Sequence, residues 1–221
     1  MPPTLAIANK VYSSWSMRPW LLMRHFDIVF DEVVIPMDLD TSKAEMLRHA
    51  PTGKCPSLTD GDIVVWDSLA IIEYVAEVHP TLPIWPRDKA ARAMARALAA
   101  EMHSGFMALR RSLPMNMKRS PATLRLDAEI QTAVDADVAR IEAAWADARH
   151  RFGAGGPFLF GAFSAADAMF APVVNRLQVY AVTVGPETSA YMAAVTSLQA
   201  WRDWQAEAEA EGWRLERIEA I

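Results

Sequence analysis

The first apolar run, "TLAIA", is five residues long and predicts a strand. "RPWLLMRHF" then spaces its apolar residues at helical period, with Pro19 suited to a first turn, where a missing N–H costs nothing. "FDEVVIPMDL" predicts a second strand, and Pro36 near its end predicts an edge position. "TSKAEMLRHAP" predicts a short helix stopped before Pro51. "SLTD" and "IVVW" predict two strands joined at Asp60-Gly61, a hairpin signal. "DSLAIIEYVAEV" predicts a helix whose first residues, Asp67 and Ser68, have the short polar side chains that cap free N–H groups. Residues 1–79 therefore spell βαβαββα.

"HPTLPIWPRD" has three prolines in ten residues and predicts a stiff linker over 80–88. Beyond it the strand pattern stops. One long helix is expected over "DKAARAMARALAAEMHSGFMALRRSL" and a second over "DAEIQTAVDADVARIEAAWADARHRF". "GAGGPFLFG" predicts a loop, "SAADAMFAPVVNRLQVYAV" a third helix, and "SLQAWRDWQAEAEA" a late one. The expected class is α/β plus all-α, with an all-helical domain over 89–221.

A length of 221 residues suits two small domains, and the 52% apolar and 22% charged content is that of a soluble globular chain. The net charge of −5 has no basic block to offset it and argues against nucleic acid as a partner. Arg110-Arg111 and Lys118-Arg119 are expected to be a solvated helix end and loop. Cys55 is the only cysteine, which excludes an intrachain disulfide, a four-thiolate zinc site and a two-cysteine redox motif. No metal site is expected. The first ten residues lack a signal-peptide pattern, and no stretch of about 18 apolar residues suggests a membrane span. The expected setting is the cytoplasm.

Four stretches carry candidate chemistry. "YSSWSMRPW" gathers Ser13, Ser14 and Ser16 where strand gives way to helix. They are either helix caps or hydroxyls for an anion that the helix dipole already favours. "KCPSL" contains either a simple end to strand pairing or a cis Cys55-Pro56 peptide. Cys55 is expected to be a small buried apolar residue rather than a nucleophile. Asp67-Ser68 are caps, or they hold a ligand with both an ammonium and a carboxylate. Ser164 and Asp167 in "FSAADAMF" form a capping-box variant.

In this order, over essentially the full length, these motifs resemble the cytosolic glutathione transferases. "SSWSMR" is similar to the serine motif of the zeta class, the maleylacetoacetate isomerases, which reads Ser-Ser-Cys with an arginine soon after. "DSLAIIEYV" is similar to that class's Gln-Ser-Leu-Ala-Ile-Ile-Glu-Tyr helix, and "SAADAMFAP" to the family's folding motif. The chain departs from zeta at Trp15, at Asp67 and in "EMHSGFMALRRSLPMN".

The resemblance implies a thioredoxin-like domain that binds glutathione as co-substrate, and a helical domain that supplies the second pocket. Ser14 or Ser13 would donate to the glutathione sulfur. Counting four residues back from Arg18 picks Ser14, and the zeta motif's first serine picks Ser13. Ser16 would belong to the same site. The Cys55 backbone before Pro56 would pair with the cysteinyl part, Asp67 and Ser68 with the γ-glutamyl end, and Lys54 with the glycyl carboxylate. Arg18 would brace the first helix. His103, Phe106, Arg176 and Tyr180 are the candidates for the second-substrate pocket. The implied activity is conjugation of glutathione to a small electrophile by a homodimer. A glutathione-dependent cis–trans isomerase and a non-catalytic glutathione-binding protein are the alternatives.

Overall fold

The computed structural model describes every residue, Met1–Ile221. Four strands, β1 (Thr4–Ala8), β2 (Asp31–Ile35), β3 (Ser57–Asp60) and β4 (Ile63–Val65), form one sheet in the order β2-β1-β3-β4. β1 is parallel to β2, with Ala6 opposite Val33, and antiparallel to β3, with Leu5 opposite Leu58. A parallel pair needs a crossover, and α1 (Ser14–His25) supplies it. β2 lies at the edge, and Pro36 follows its last residue. The β3–β4 hairpin turns through Gly61 at φ +58°, a backbone region that glycine enters without a Cβ clash. α2 (Ser42–His49) follows β2 and α3 (Ser68–Val78) follows β4, which completes a thioredoxin-like domain.

Only helices follow: α4 (Lys89–Ser104), α5 (Met107–Ser112), α6 (Ala128–Phe152), α7 (Ala165–Val179), α8 (Pro186–Thr196), α9 (Gln199–Ala210) and α10 (Glu216–Glu219). α7 is the axis of this domain, with every residue but Gln178 buried. At its start the Asp167 carboxylate accepts the Ser164 N–H (2.8 Å), the Ser164 hydroxyl (2.9 Å) and the Leu159 N–H (3.1 Å). One apolar core runs through both domains. Trp20 of α1 and Trp204 of α9 meet edge to face at 5.1 Å across their boundary.

The elements differ from the sequence pattern in four places. The single helix expected over "DKAARAMARALAAEMHSGFMALRRSL" breaks into α4 and α5. Gly105 ends α4 where a Cβ would stand 2.8 Å from the Glu101 carbonyl oxygen, and Phe106 turns left-handed at φ +55°. α1 begins at Ser14, so Pro19 falls in its second turn and not its first. α8 and α10 were not anticipated. Pro186 at the first position of α8 is the start signal for that helix.

Candidate functional site

The residues after β1 turn the chain into α1, with the Asn9 carbonyl accepting the Tyr12 N–H (3.3 Å) and the Ser13 N–H (2.9 Å). Ser13 caps α1. Its hydroxyl accepts the Ser16 N–H at 3.3 Å and donates to the Ser16 Oγ at 2.8 Å. The Ser16 Oγ also accepts the Ala8 N–H at 3.0 Å, and Ser16 is fully buried. Two of the three hydroxyls therefore tie strand to helix. Ser14, first in α1, takes no part in that network. The Trp15 N–H beside it has no backbone acceptor.

Ser13 and Ser14 line a cavity of about 450 Å³ between the two domains. Lys54 and Cys55 line it from the loop before β3, and Pro56 is buried behind them. The Cys55–Pro56 peptide is cis, as is Trp66–Asp67. Burial pushes the Cys55 thiol up to about 12. The helical domain adds Arg110 and Arg111 of α5, Arg176 of α7 and Arg217 of α10 to the cavity wall.

Asp67 and Ser68 stand outside this lining. Asp67 caps α3, accepting the Leu69 N–H (3.0 Å) and the Ala70 N–H (3.4 Å) through Oδ1. Its Oδ2 lies 3.1 Å from His103 Nε2 of α4. Ser68 is fully buried, and its Oγ has no partner. Trp15 connects this pair to the cavity, with its ring 5.1 Å from that of His103.

Two guanidinium groups also lie against the Trp15 ring, Arg18 at 4.3 Å and Arg110 at 4.7 Å from its centre. Arg18 is wholly buried, with Nε and Nη1 unpartnered. Burial pulls it well below the usual arginine range, Arg110 and Arg176 pull the same way, and Asp67 opposes them.

Of the residues expected at a second pocket, Arg176 lines the cavity and His103, Phe106 and Tyr180 do not. Phe106 packs near Phe170, at 6.4 Å between ring centres. The Tyr180 hydroxyl donates to the Pro114 carbonyl at 3.0 Å. Arg110 and Arg111 do stand in the last turn of α5, with Arg111 exposed and Arg110 half-buried, but the solvent they face is the cavity that both line. The signal for this was Gly105, which breaks the helix and redirects the arginines. Trp15, too, goes beyond what the serine pattern indicated. A larger cavity of about 830 Å³ lies by Tyr74, Trp85 and Arg92, but its Glu73 and Arg96 satisfy each other at 3.0 Å, so it holds no unspent charge of theirs.

Comparison with known proteins gives the same architecture. The family description "Glutathione S-transferase, N-terminal domain" matches residues 12–78, and "Glutathione S-transferase, C-terminal domain" matches 128–204. The probable maleylacetoacetate isomerase of Caenorhabditis elegans is 32% identical over 96 residues, 43% of this chain and 44% of that protein. Glutathione S-transferase Z1 of Arabidopsis thaliana is 35% identical over 94 residues, 38% of this chain and 41% of that protein. The matches thus span less than half the length of these curated relatives. Among solved structures, a Burkholderia glutathione transferase homolog with bound glutathione superimposes with a TM-score of 0.70 at 22% identity, covering 96% of this chain and all of that one. A glutathione S-transferase of the Antarctic clam Laternula elliptica gives 0.72 at 20% identity, covering 96% and 95%. With both halves matched on either side of the linker, and the fold shared along nearly its whole length, the chain belongs to the glutathione S-transferase family.

Proposed function

We propose that the protein is a glutathione transferase that activates the glutathione thiolate for attack on a small electrophile. The observation that carries this reading is the Ser14 hydroxyl, first in α1, uncommitted, and on the wall of the interdomain cavity. A free thiol titrates near 8.5, so only a few per cent is thiolate at pH 7. Lowering that by about two units takes roughly 2.7 kcal/mol. One charge-assisted hydrogen bond contributes about 1.5–3 kcal/mol, and a helix N-terminus adds about 0.3–1 kcal/mol. Together they are the right size, and Ser14 itself need not ionise. The thiol proton leaves to solvent. The sulfur pair forms the new bond to carbon, and the leaving group departs with the pair it shared with that carbon.

Ser13 is the alternative donor, and its bonds to Ser16 favour Ser14 for the role. Ser16 supports the site by holding Ser13 and the end of β1. We assign the glycyl carboxylate to Lys54, the cysteinyl backbone to Cys55 beside Pro56, the γ-glutamyl ammonium to Asp67 and its carboxylate to Ser68. Arg176 belongs to the second-substrate wall, whereas His103, Phe106 and Tyr180 lie outside the cavity lining. The functional unit is a homodimer, and the setting is the cytoplasm. A glutathione-dependent cis–trans isomerase is the second reading, favoured by the similarity to the C. elegans protein. Trp15, where the zeta motif has cysteine, weighs against it.

Retention on immobilised glutathione and elution by free glutathione test the ligand. Titration of the bound thiol by thiolate absorbance tests the mechanism. A bound thiol that titrates like the free compound sinks the proposal.

A further inference from the structure

We propose that the second substrate is a small electrophile bearing a carboxylate, held by the arginines of α5 and α7; this rests on the transferase reading above. Acidic residues outnumber basic ones in the chain, 27 to 22. Yet Lys54, Arg110, Arg111, Arg176 and Arg217 all line one cavity, and no Asp or Glu lines it. Arg217 is paired, its Nε 2.9 Å from Asp38 Oδ2. The other four have no carboxylate partner, as the ion pairs of the chain lie elsewhere.

Two of the four are fixed in place. Arg110 donates Nη1 to the carbonyls of His103 (3.2 Å) and Gly105 (3.1 Å) while its guanidinium rests on Trp15. Arg176, only 4% exposed, donates Nη1 to the Pro172 carbonyl at 3.1 Å and leaves Nε without a partner. A buried cation without a counter-ion is unfavourable, and two facing cations are more so. Burial, with repulsion from Arg110, accordingly pulls Arg176 down to about 9. It is therefore still a cation at neutral pH. An anion in the cavity relieves both penalties and meets a planar donor suited to a carboxylate.

Glutathione does not use up this charge. Its glycyl carboxylate is assigned to Lys54 and its γ-glutamyl end to Asp67 and Ser68, all on the thioredoxin-like domain. Arg110, Arg111 and Arg176 come from the other domain, on the wall of the cavity that Ser14 also lines. Met37, Met46, Met107 and Met115 also line it and give an adaptable apolar surface for the body of a small molecule.

The test compares 4-chloro-3-nitrobenzoate with its neutral methyl ester. In both, the thiolate forms the C–S bond and chloride leaves with the C–Cl pair. Each kcat/KM is divided by its uncatalysed rate, because the ester is intrinsically the more reactive. We expect a preference for the acid of at least tenfold, shrinking as salt is raised. Arg176→Gln should reduce the acid-to-ester ratio to near one. Arg111→Gln, at an exposed position, should reduce it severalfold and covers the case in which the buried variant does not fold. Calorimetric binding of the two glutathione conjugates gives the same comparison without turnover, with the acid conjugate expected to bind at least tenfold tighter. Retention on immobilised glutathione with equal binding of both conjugates overturns this inference and leaves the transferase reading standing. Failure to bind glutathione or either conjugate overturns both.

Discussion

The Ser13 hydroxyl donates to the Ser16 Oγ at 2.8 Å, and that bond leaves Ser14 as the uncommitted hydroxyl at the start of α1. The two serines therefore have separable roles. Ser14→Ala should lower kcat/KM by tenfold or more, with glutathione affinity nearly unchanged, because the bond it removes is made to the thiolate. Ser13→Ala should lower the melting temperature, since it removes an N-cap worth about 0.5–2 kcal/mol. Steady-state kinetics beside thermal melts separate the two. Intact turnover in Ser14→Ala, with loss in Ser13→Ala, would reverse the assignment.

Asp67 has two partners, the first N–H groups of α3 and His103 Nε2 of α4. If its carboxylate also takes the γ-glutamyl ammonium, Asp67→Asn should raise the glutathione KM about tenfold. His103 only positions Asp67. The Asp67 side chain is 52% exposed, so the pair is worth at most about 1 kcal/mol. His103→Gln should therefore raise the glutathione KM less than about fivefold and leave kcat alone. Equal effects of the two substitutions would give His103 a direct contact.

These relationships mark where the sequence was legible. The hairpin at Asp60-Gly61 and the caps at Asp67 and Ser164 were readable because their signals are local: a turn residue, or a short polar side chain just ahead of an apolar run. The serine cluster marked the strand-to-helix turn that borders the cavity, and the hydrogen bonds, not the spacing, set Ser14 apart from Ser13. That Arg110 and Arg111 face a cavity depends on how α5 turns after Gly105, a tertiary outcome that no local pattern carries. The Asp67–His103 pair joins residues far apart in the chain, and no local pattern encodes it. α8 went unseen because "PETSAYMAAVT" shows no apolar stripe at helical spacing, although Tyr191 and Val195 are fully buried.

The lone thiol should be inert. Burial pushes Cys55 up to about 12, so at pH 8 only about one thiol in ten thousand is ionised. Native protein should react with a disulfide reagent at pH 8 far more slowly than denatured protein does. Cys55→Ala should keep turnover within about twofold, since the proposed contact to glutathione uses the backbone. Rapid native labelling, with loss of activity in step, would make the side chain a participant.

Asp167 should leave a mark on stability against pH. Burial raises its carboxyl to about 6, with the bonds from Leu159 and Ser164 opposing the rise. In the unfolded chain it titrates near 3.9. Between about pH 4 and 6 the folded state thus holds the extra proton, and stability falls as pH rises through that window. Asp167→Asn has no such proton. Melting temperatures from pH 4 to 7 should fall more steeply in the wild type than in the variant across the window. Parallel curves would mean that the hydrogen bonds outweigh burial and keep the carboxylate ionised.

Lys10 is the last test, because it ties the turn before the site to the far end of the helical domain. It is 2% exposed, and its ammonium pairs with Glu32 at 2.6 Å and with Glu207, between the rings of Trp20 and Trp204. Its carbonyl accepts the Trp204 indole N–H at 3.0 Å, and its N–H donates to Glu211 at 2.6 Å. Lys10→Met keeps the backbone bonds and the bulk but strands the Glu32 carboxylate, while the half-exposed Glu207 stays solvated. Breaking a buried pair on one side costs about 3–5 kcal/mol. In a chain of this size each kcal/mol moves the melting temperature by about 2–4 °C, so a fall of roughly 6–20 °C is expected. Arg48→Ala, which breaks the solvent-exposed pair with Glu45, should cost less than about 1 kcal/mol and serves as the control. Restoring neutrality in Lys10→Met with Glu32→Gln and Glu207→Gln should recover part of the loss, because the penalty comes from the unpaired charge. A triple variant that recovers nothing would move the cause from charge to packing between the two tryptophans.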